Sequence, residues 1–144
     1  MISITKKYLN KYLLMIAMKK QTIELVQTEI VSDLKKIKSI DAILLFGSYA
    51  RGTQKPLSDI DICVIANKHI SHNLKAKIQS YTSKNIDLSF FWDLPIGVKY
   101  AILREGKILF MRNSGNFHNT LVRTMHEYLD FKPVIDKNIA RCFL

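Results

Sequence analysis

Asp59 and Asp61 are separated by one residue in the segment S-D-I-D-I-C-V-I that spans residues 58–65. On an extended strand, residues two apart project from the same face, about 6.5 Å apart along the backbone. Ile60, Ile62 and Val64 then occupy the other face. Two carboxylates on an otherwise apolar strand repel each other and lose hydration unless a cation stands between them. Oxygen donors without a neighbouring His or Cys favour Mg²⁺ or Mn²⁺, ions that bind together with substrate phosphates. Asp87 is a third acid inside an apolar run, N-I-D-L-S-F-F over residues 85–91. If its strand neighbours the first, three carboxylates could hold two metal ions about 3.5–4 Å apart, one activating a hydroxyl and one holding a triphosphate.

Gly47 and Ser48 directly follow an apolar run that ends at Phe46. Glycine there permits close backbone approach, amide N–H groups can face a phosphate, and the Ser48 hydroxyl adds a donor. Arg51 and Lys55, in the same loop, are placed to meet phosphate charge, or equally to form exposed salt bridges.

These residues need a scaffold, and the apolar periodicity supplies one. Ile23, Val26, Ile30, Leu34 and Ile37 recur every three or four residues and predict a helix. A buried strand follows over 42–46, then a loop over 47–58 with a short helix near 49–52, a second strand over 59–66 and a polar helix over 72–83. A third strand is expected over 85–92. Asp93 is expected to cap a helix over 94–105 that ends at Gly106, followed by a short strand over 107–111. Phe117, Leu121, Met125 and Leu129 mark a further helix. Pro133 is expected to break it and start a last helix, whose Val134, Ile135, Ile139 and Phe143 close the core. The order predicts an α/β (α+β) domain built on a mixed β-sheet flanked by helices.

The chain has 144 residues, 48% hydrophobic and 10% aromatic, enough for one domain with its own core and against intrinsic disorder or a disulfide-stapled scaffold. Lys and Arg number 22 against 12 Asp and Glu, a formal net charge of +10. That excess suits a nucleic acid, a nucleotide–metal complex or an acidic protein. Once three of the acids are assigned to a metal-holding pocket, a nucleotide–metal complex or an acidic protein becomes the better fit, and direct nucleic-acid binding is not expected. Cys63 sits in an apolar run far from Cys142, which favours buried, reduced thiols and a cytoplasmic setting. His69 and His72 lack the spacing of a zinc site and suit a loop or helix start.

Residues 1–18 carry Tyr8, Leu9, Tyr12, Leu13 and Ile16 at helical spacing beside Lys6, Lys7 and Lys11. The uncharged stretch is too short to span a membrane or to serve as a signal peptide. An amphipathic helical extension, packed on the body or on a partner, is expected there, with the main domain over 19–144.

Gly47-Ser48, ten intervening residues, Asp59-x-Asp61 and the later strand acid Asp87 resemble the signature of the DNA polymerase β-like nucleotidyltransferase superfamily. The G-S-Y-A-R-G wording, the D-F-K-P near the end and the short chain are similar to its minimal branch, the MNT-domain antitoxins paired with HEPN toxins. The resemblance covers the chain from about Lys19 onward. It implies the nucleotidyltransferase (polymerase β-like palm) fold. It further implies Asp59, Asp61 and Asp87 as ligands of two Mg²⁺ or Mn²⁺ ions, with Asp87 also activating the acceptor hydroxyl, and triphosphate binding at Gly47 and Ser48 beside Arg51. The implied reaction moves AMP from ATP to a tyrosine of a cognate HEPN ribonuclease and silences it. Two alternatives stand beside it: an antitoxin that neutralises by binding alone, and a small-molecule nucleotidyltransferase, which would need an acceptor pocket beyond what this length provides.

Overall fold

The computed structural model describes residues 2–55 and 58–143. Pro56 and Leu57 of the loop after Gly47 lie outside this set, as does the side chain of Phe143.

A helix α1 (Ile2–Leu25) passes through a π-helical turn (Val26–Ile30) into α2 (Val31–Leu34). Strand β1 (Ile40–Phe46) is followed by the single turn α3 (Ser48–Arg51), β2 (Ile60–Ala66), α4 (His72–Gln79) and β3 (Ile86–Phe90). A 3-10 turn (Phe91–Asp93), α5 (Ile96–Glu105), β4 (Lys107–Met111) and α6 (Ser114–Phe143) complete the chain. The four strands form one mixed sheet in the order β3-β2-β1-β4. β1 is antiparallel to both β2 and β4, whereas β2 and β3 are parallel. A parallel pair needs a crossover, and α4 provides it.

Both faces of the central strands are covered, so β1 and β2 are nearly continuous apolar runs. Ile43, Leu45, Ile62, Val64 and Leu88 point to one face and pack with Val26, Ile30, Leu34 and Ile78. Ala42, Leu44, Cys63 and Ile65 point to the other, against Phe91, Ile102 and Phe117. Strand alternation places Asp61 on this second face, the side of α5 and α6.

Burial pushes the Cys63 thiol up to about 12, whereas Cys142 is exposed. A thiol reagent such as Ellman's should therefore label Cys142 immediately and Cys63 only at the rate of unfolding; two fast thiols would show that β2 opens in the native state.

Several boundaries differ from expectation. β2 begins at Ile60, leaving Asp59 just ahead of the strand. β3 ends at Phe90, because the chain turns at Phe91 to bury that ring completely. Asp93 does not cap α5: Leu94, forced extended by the following proline, sits at φ −88°, ψ 150°. Pro95 is the N-cap, and the Asp93 carboxylate pairs with Lys75 instead. The polar helix stops at Gln79, with Ser71 Oγ accepting from Leu74 N at its start.

Pro133 does not divide the C-terminal helix; α6 runs through it. A proline removes one intrahelical bond, to the carbonyl four residues earlier. That carbonyl belongs to Leu129, which is exposed, so water can satisfy it. Nor does this segment close the core, since Val134 and Ile139 are exposed and Ile135 only half-buried. The N-terminal segment is helical as expected but not packed on the body: from residue 5 to 18 all side chains are exposed except half-buried Met15.

Candidate active site

The sheet brings two of the three acids side by side. In the parallel β2–β3 ladder Asp61 pairs with Asp87, and across β1–β2 Asp61 pairs with Phe46. Neighbouring strands lie about 4.8 Å apart, so the two aspartates leave the same face of the sheet in adjacent positions. Asp59, two residues before Asp61 and exposed, stands at the mouth of the same end.

Gly47, immediately after β1, adopts φ 72°, ψ −152°, a conformation essentially reserved for glycine. A Cβ there would overlap Oδ2 of Asp61 and lie 3.1 Å from its Cγ. The backbone at Gly47 thus presses directly against the carboxylate. Ser48 opens α3, which Gly52 closes in a left-handed cap at φ 71°. Lys55 N–H donates to Ser58 Oγ at 2.8 Å, just ahead of Asp59.

Burial raises the Asp61 carboxyl above its ordinary value; the charges of Asp87 and then Asp59 push the same way, and the Arg51 guanidinium pulls against them. The surroundings of the Asp61 carboxylate are short of positive charge, and the donors gathered there are all hard oxygens. This donor set fits Mg²⁺ or Mn²⁺. Among the described residues, no three His, Cys, Asp or Glu side chains stand close enough as they are to hold an ion.

Arg51 lies beside the cluster but its guanidinium is shared: Nη1 is 3.6 Å from Glu105 Oε2. Glu105 also accepts from Arg104 Nη2 at 2.6 Å. A cleft of about 280 Å³ opens here, lined by Phe46, Gly47, Arg51, Gly97, Ala101 and Glu105 among others. Glu105 and this wall of α5 were not among the expected site residues. Gly97 was the available signal, because a glycine within a helix costs stability and marks a place where a side chain is unwanted. A Cβ at Gly97 would meet nothing within 4 Å, so its absence keeps the cleft open without being forced by packing.

The aromatics at the end of β3 and in the 3-10 turn after it lie elsewhere. Phe90 and Phe91 are buried in the core. Trp92 donates to the carbonyl of Ala66 at 2.8 Å, at the far end of β2 from Asp61, and forms no wall of the carboxylate site. His72 starts α4 and His69 lies in the preceding loop, as their spacing suggested.

A mixed sheet with paired strand carboxylates facing a Gly-Ser turn defines a nucleotidyltransferase. Residues 28–115 match the family model "Polymerase beta, Nucleotidyltransferase", and the chain belongs to that family. It is 31% identical over 74 residues to a Methanocaldococcus jannaschii protein assigned as a protein adenylyltransferase, a match covering 51% of this chain and 58% of the relative. It is 35% identical over 68 residues, 47% of the chain, to a bifunctional uridylyltransferase/uridylyl-removing enzyme of Vibrio campbellii, but spans only 7% of that enzyme. The chain thus matches little more than half of one curated relative and a small part of the other.

Among solved structures, a toxin–antitoxin complex with AMP-PNP superposes with a TM-score of 0.60 at 26% identity, covering 78% of this chain and 98% of the other. The MNT antitoxin complex with a tri-AMPylated HEPN toxin from Shewanella oneidensis shares the fold, with a TM-score of 0.56 at 23% identity over 81% of this chain and 98% of the other. No helix among the described residues is long and apolar enough to cross a membrane.

Proposed function

We propose that this chain is a cytoplasmic antitoxin that transfers AMP from ATP to a tyrosine hydroxyl of a cognate HEPN ribonuclease and thereby silences it. The observation that carries this reading is the in-register pairing of Asp61 with Asp87 against the Gly47 backbone. Likeness to a toxin–antitoxin complex solved with an ATP analogue supports the substrate and the partner.

In this reading Asp59, Asp61 and Asp87 hold two divalent ions, which when bound neutralise the triphosphate and stabilise charge on the transferring phosphoryl group. The backbone at Gly47 and the Ser48 hydroxyl receive the phosphates, and Arg51 exchanges Glu105 for phosphate oxygen. Asp87 accepts the proton of the tyrosine hydroxyl as that oxygen bonds to the α-phosphorus. The bond from the α-phosphorus to its bridging oxygen breaks, and pyrophosphate leaves. The division of the chain belongs to the same reading: residues 19–144 are the domain that carries the chemistry and residues 1–18 a helical extension of it.

The test is incubation of the purified chain with ATP labelled at the α-phosphate, Mg²⁺ and the HEPN protein encoded beside it. Label on the HEPN protein that is lost in Asp61→Ala supports the assignment. Neutralisation of the ribonuclease without any label would instead establish an antitoxin that acts by binding, and would end the catalytic reading.

A further inference from the structure

Helix α1 carries a large apolar surface that the proposed chemistry leaves unused. Tyr8, Leu9, Tyr12, Leu13, Leu14 and Ile16 are between 48% and 68% exposed. Tyr8, Leu9, Tyr12 and Met15 line an open groove of about 480 Å³ along the helix. Apolar side chains on this scale, on one element, mark an interaction surface.

Three features identify its occupant. The first is continuity with the core. Leu9, Ile16, Ile23 and Ile30 recur at intervals of seven residues. The π-helical turn takes Ile30 off this row, but Ile23 packs against the core, so the row that meets the body at Ile23 continues along α1 through Ile16 and Leu9, uncovered among the described residues. A seven-residue apolar row is what another helix packs against.

The second feature is charge. Lys6, Lys7, Lys11, Lys19 and Lys20 precede the first acid of the chain, Glu24. A second copy of α1 would bring like charge into contact, whereas an acidic surface would be attracted.

The third is the distribution of apolar residues around the helix. Leu13 and Leu14 are consecutive, about 100° apart around the axis. With the Tyr8–Tyr12 stripe they spread apolar surface over more than one face, which suits a groove closing around the helix better than a flat lipid surface beneath it. The family match begins only at residue 28, so α1 is additional to the shared catalytic unit.

We infer that α1 is a docking helix, and that its occupant is an acidic, helix-lined groove on the HEPN partner. This rests on the proposed function for the partner's identity. Docking at α1 holds the partner on the chain and raises the local concentration of its acceptor tyrosine at the carboxylate site.

The experiment uses the full chain and the HEPN protein encoded beside it, with affinity measured by calorimetry at low and high salt and transfer followed with labelled ATP. Leu9→Gln combined with Ile16→Gln should weaken binding about thirtyfold, as loss of a buried anchor does. The KM for the HEPN protein should rise in parallel with kcat unchanged. Lys6→Gln, Lys7→Gln and Lys11→Gln together, which preserve helix propensity, should weaken binding and flatten its salt dependence. Wild-type affinity in both variants overturns the docking role while leaving the chemistry standing; α1-dependent binding without transfer overturns the chemistry and leaves docking standing. Absence of any binding by the wild-type chain overturns the inference. So does an α1-dependent dimer of the chain alone in light scattering, or α1-dependent binding to phosphatidylglycerol vesicles.

Discussion

Replacing Asp61 with asparagine should abolish nucleotidyl transfer and, in metal-free buffer, make the protein more stable. Asp61 is partly buried, and its carboxyl is raised above the ordinary range by that burial, by Asp87 beside it on β3 and by Asp59, with Arg51 opposing. An acid whose folded pKa lies above its unfolded one binds more protons in the folded state. Stability therefore falls as pH rises from the ordinary carboxylate range through the raised value, and stays at the lower level above it. Asparagine has nearly the same shape and no charge, so the variant escapes this loss. Solvent screens this half-buried group, so the gain at neutral pH should be at most about 1 kcal/mol, within the range of changes that relieve a functional strain. For a domain of this size that is about 3–5 °C in Tm. Thermal melts in EDTA across pH 3–8 check it: the two curves should converge in acid and separate toward neutrality. A variant less stable than wild type at pH 7 would mean that the carboxylate is held by groups it needs. Transfer should fall by at least ~10²–10³-fold, the scale of losing one centre of transition-state charge stabilisation. Mg²⁺ with ATP should raise the Tm of wild type and not of the variant.

The face on which Asp61 lies could be read from strand alternation, because Ile60, Ile62 and Val64 demand the core and a period of two fixes the rest. Its partnership with Asp87 could be stated only as a condition. That β3 lies beside β2 follows from where the α4 crossover lands, which local pattern does not encode. The Arg51–Glu105 pair joins two polar residues far apart in sequence, and neither has a periodicity that would point to the other. Pro133 misled for a different reason. The rule that proline ends helices assumes that the freed carbonyl must find a protein partner, and at exposed Leu129 it need not. For α1 the apolar spacing correctly gave a helix with a stripe, yet the same spacing would suit a helix packed on its own sheet. Only the structure shows that the stripe ahead of Ile23 leaves the core and runs uncovered toward the N-terminus.

Gly47→Ala should damage stability and transfer together. The φ and ψ of Gly47 fall in a region that side chains essentially never enter, at a cost of about 1–3 kcal/mol if the backbone is held there. The added Cβ also collides with Asp61 Oδ2. A carboxylate tip can swing away at little cost in stability, but doing so removes it from the position beside Asp87, so the steric part of the damage falls on chemistry. Stability should drop by about 2 kcal/mol and transfer by at least ~10²-fold, as for other misplacements of reacting groups. Two further variants separate the causes. Gly52→Ala meets the same sign of φ, 71°, with nothing within 4 Å of the new Cβ. It should lose only about 1 kcal/mol, the left-handed penalty, and keep its transfer activity. Gly47→Ala combined with Asp61→Ala removes the collision and leaves the backbone strain, so the methyl group should cost the double variant about as much stability as it costs wild type. Recovery of the lost stability in the double variant would put the cost on the collision and not on the backbone; normal transfer in Gly47→Ala would show that the turn moves freely and that the glycine does not set the place of the carboxylate.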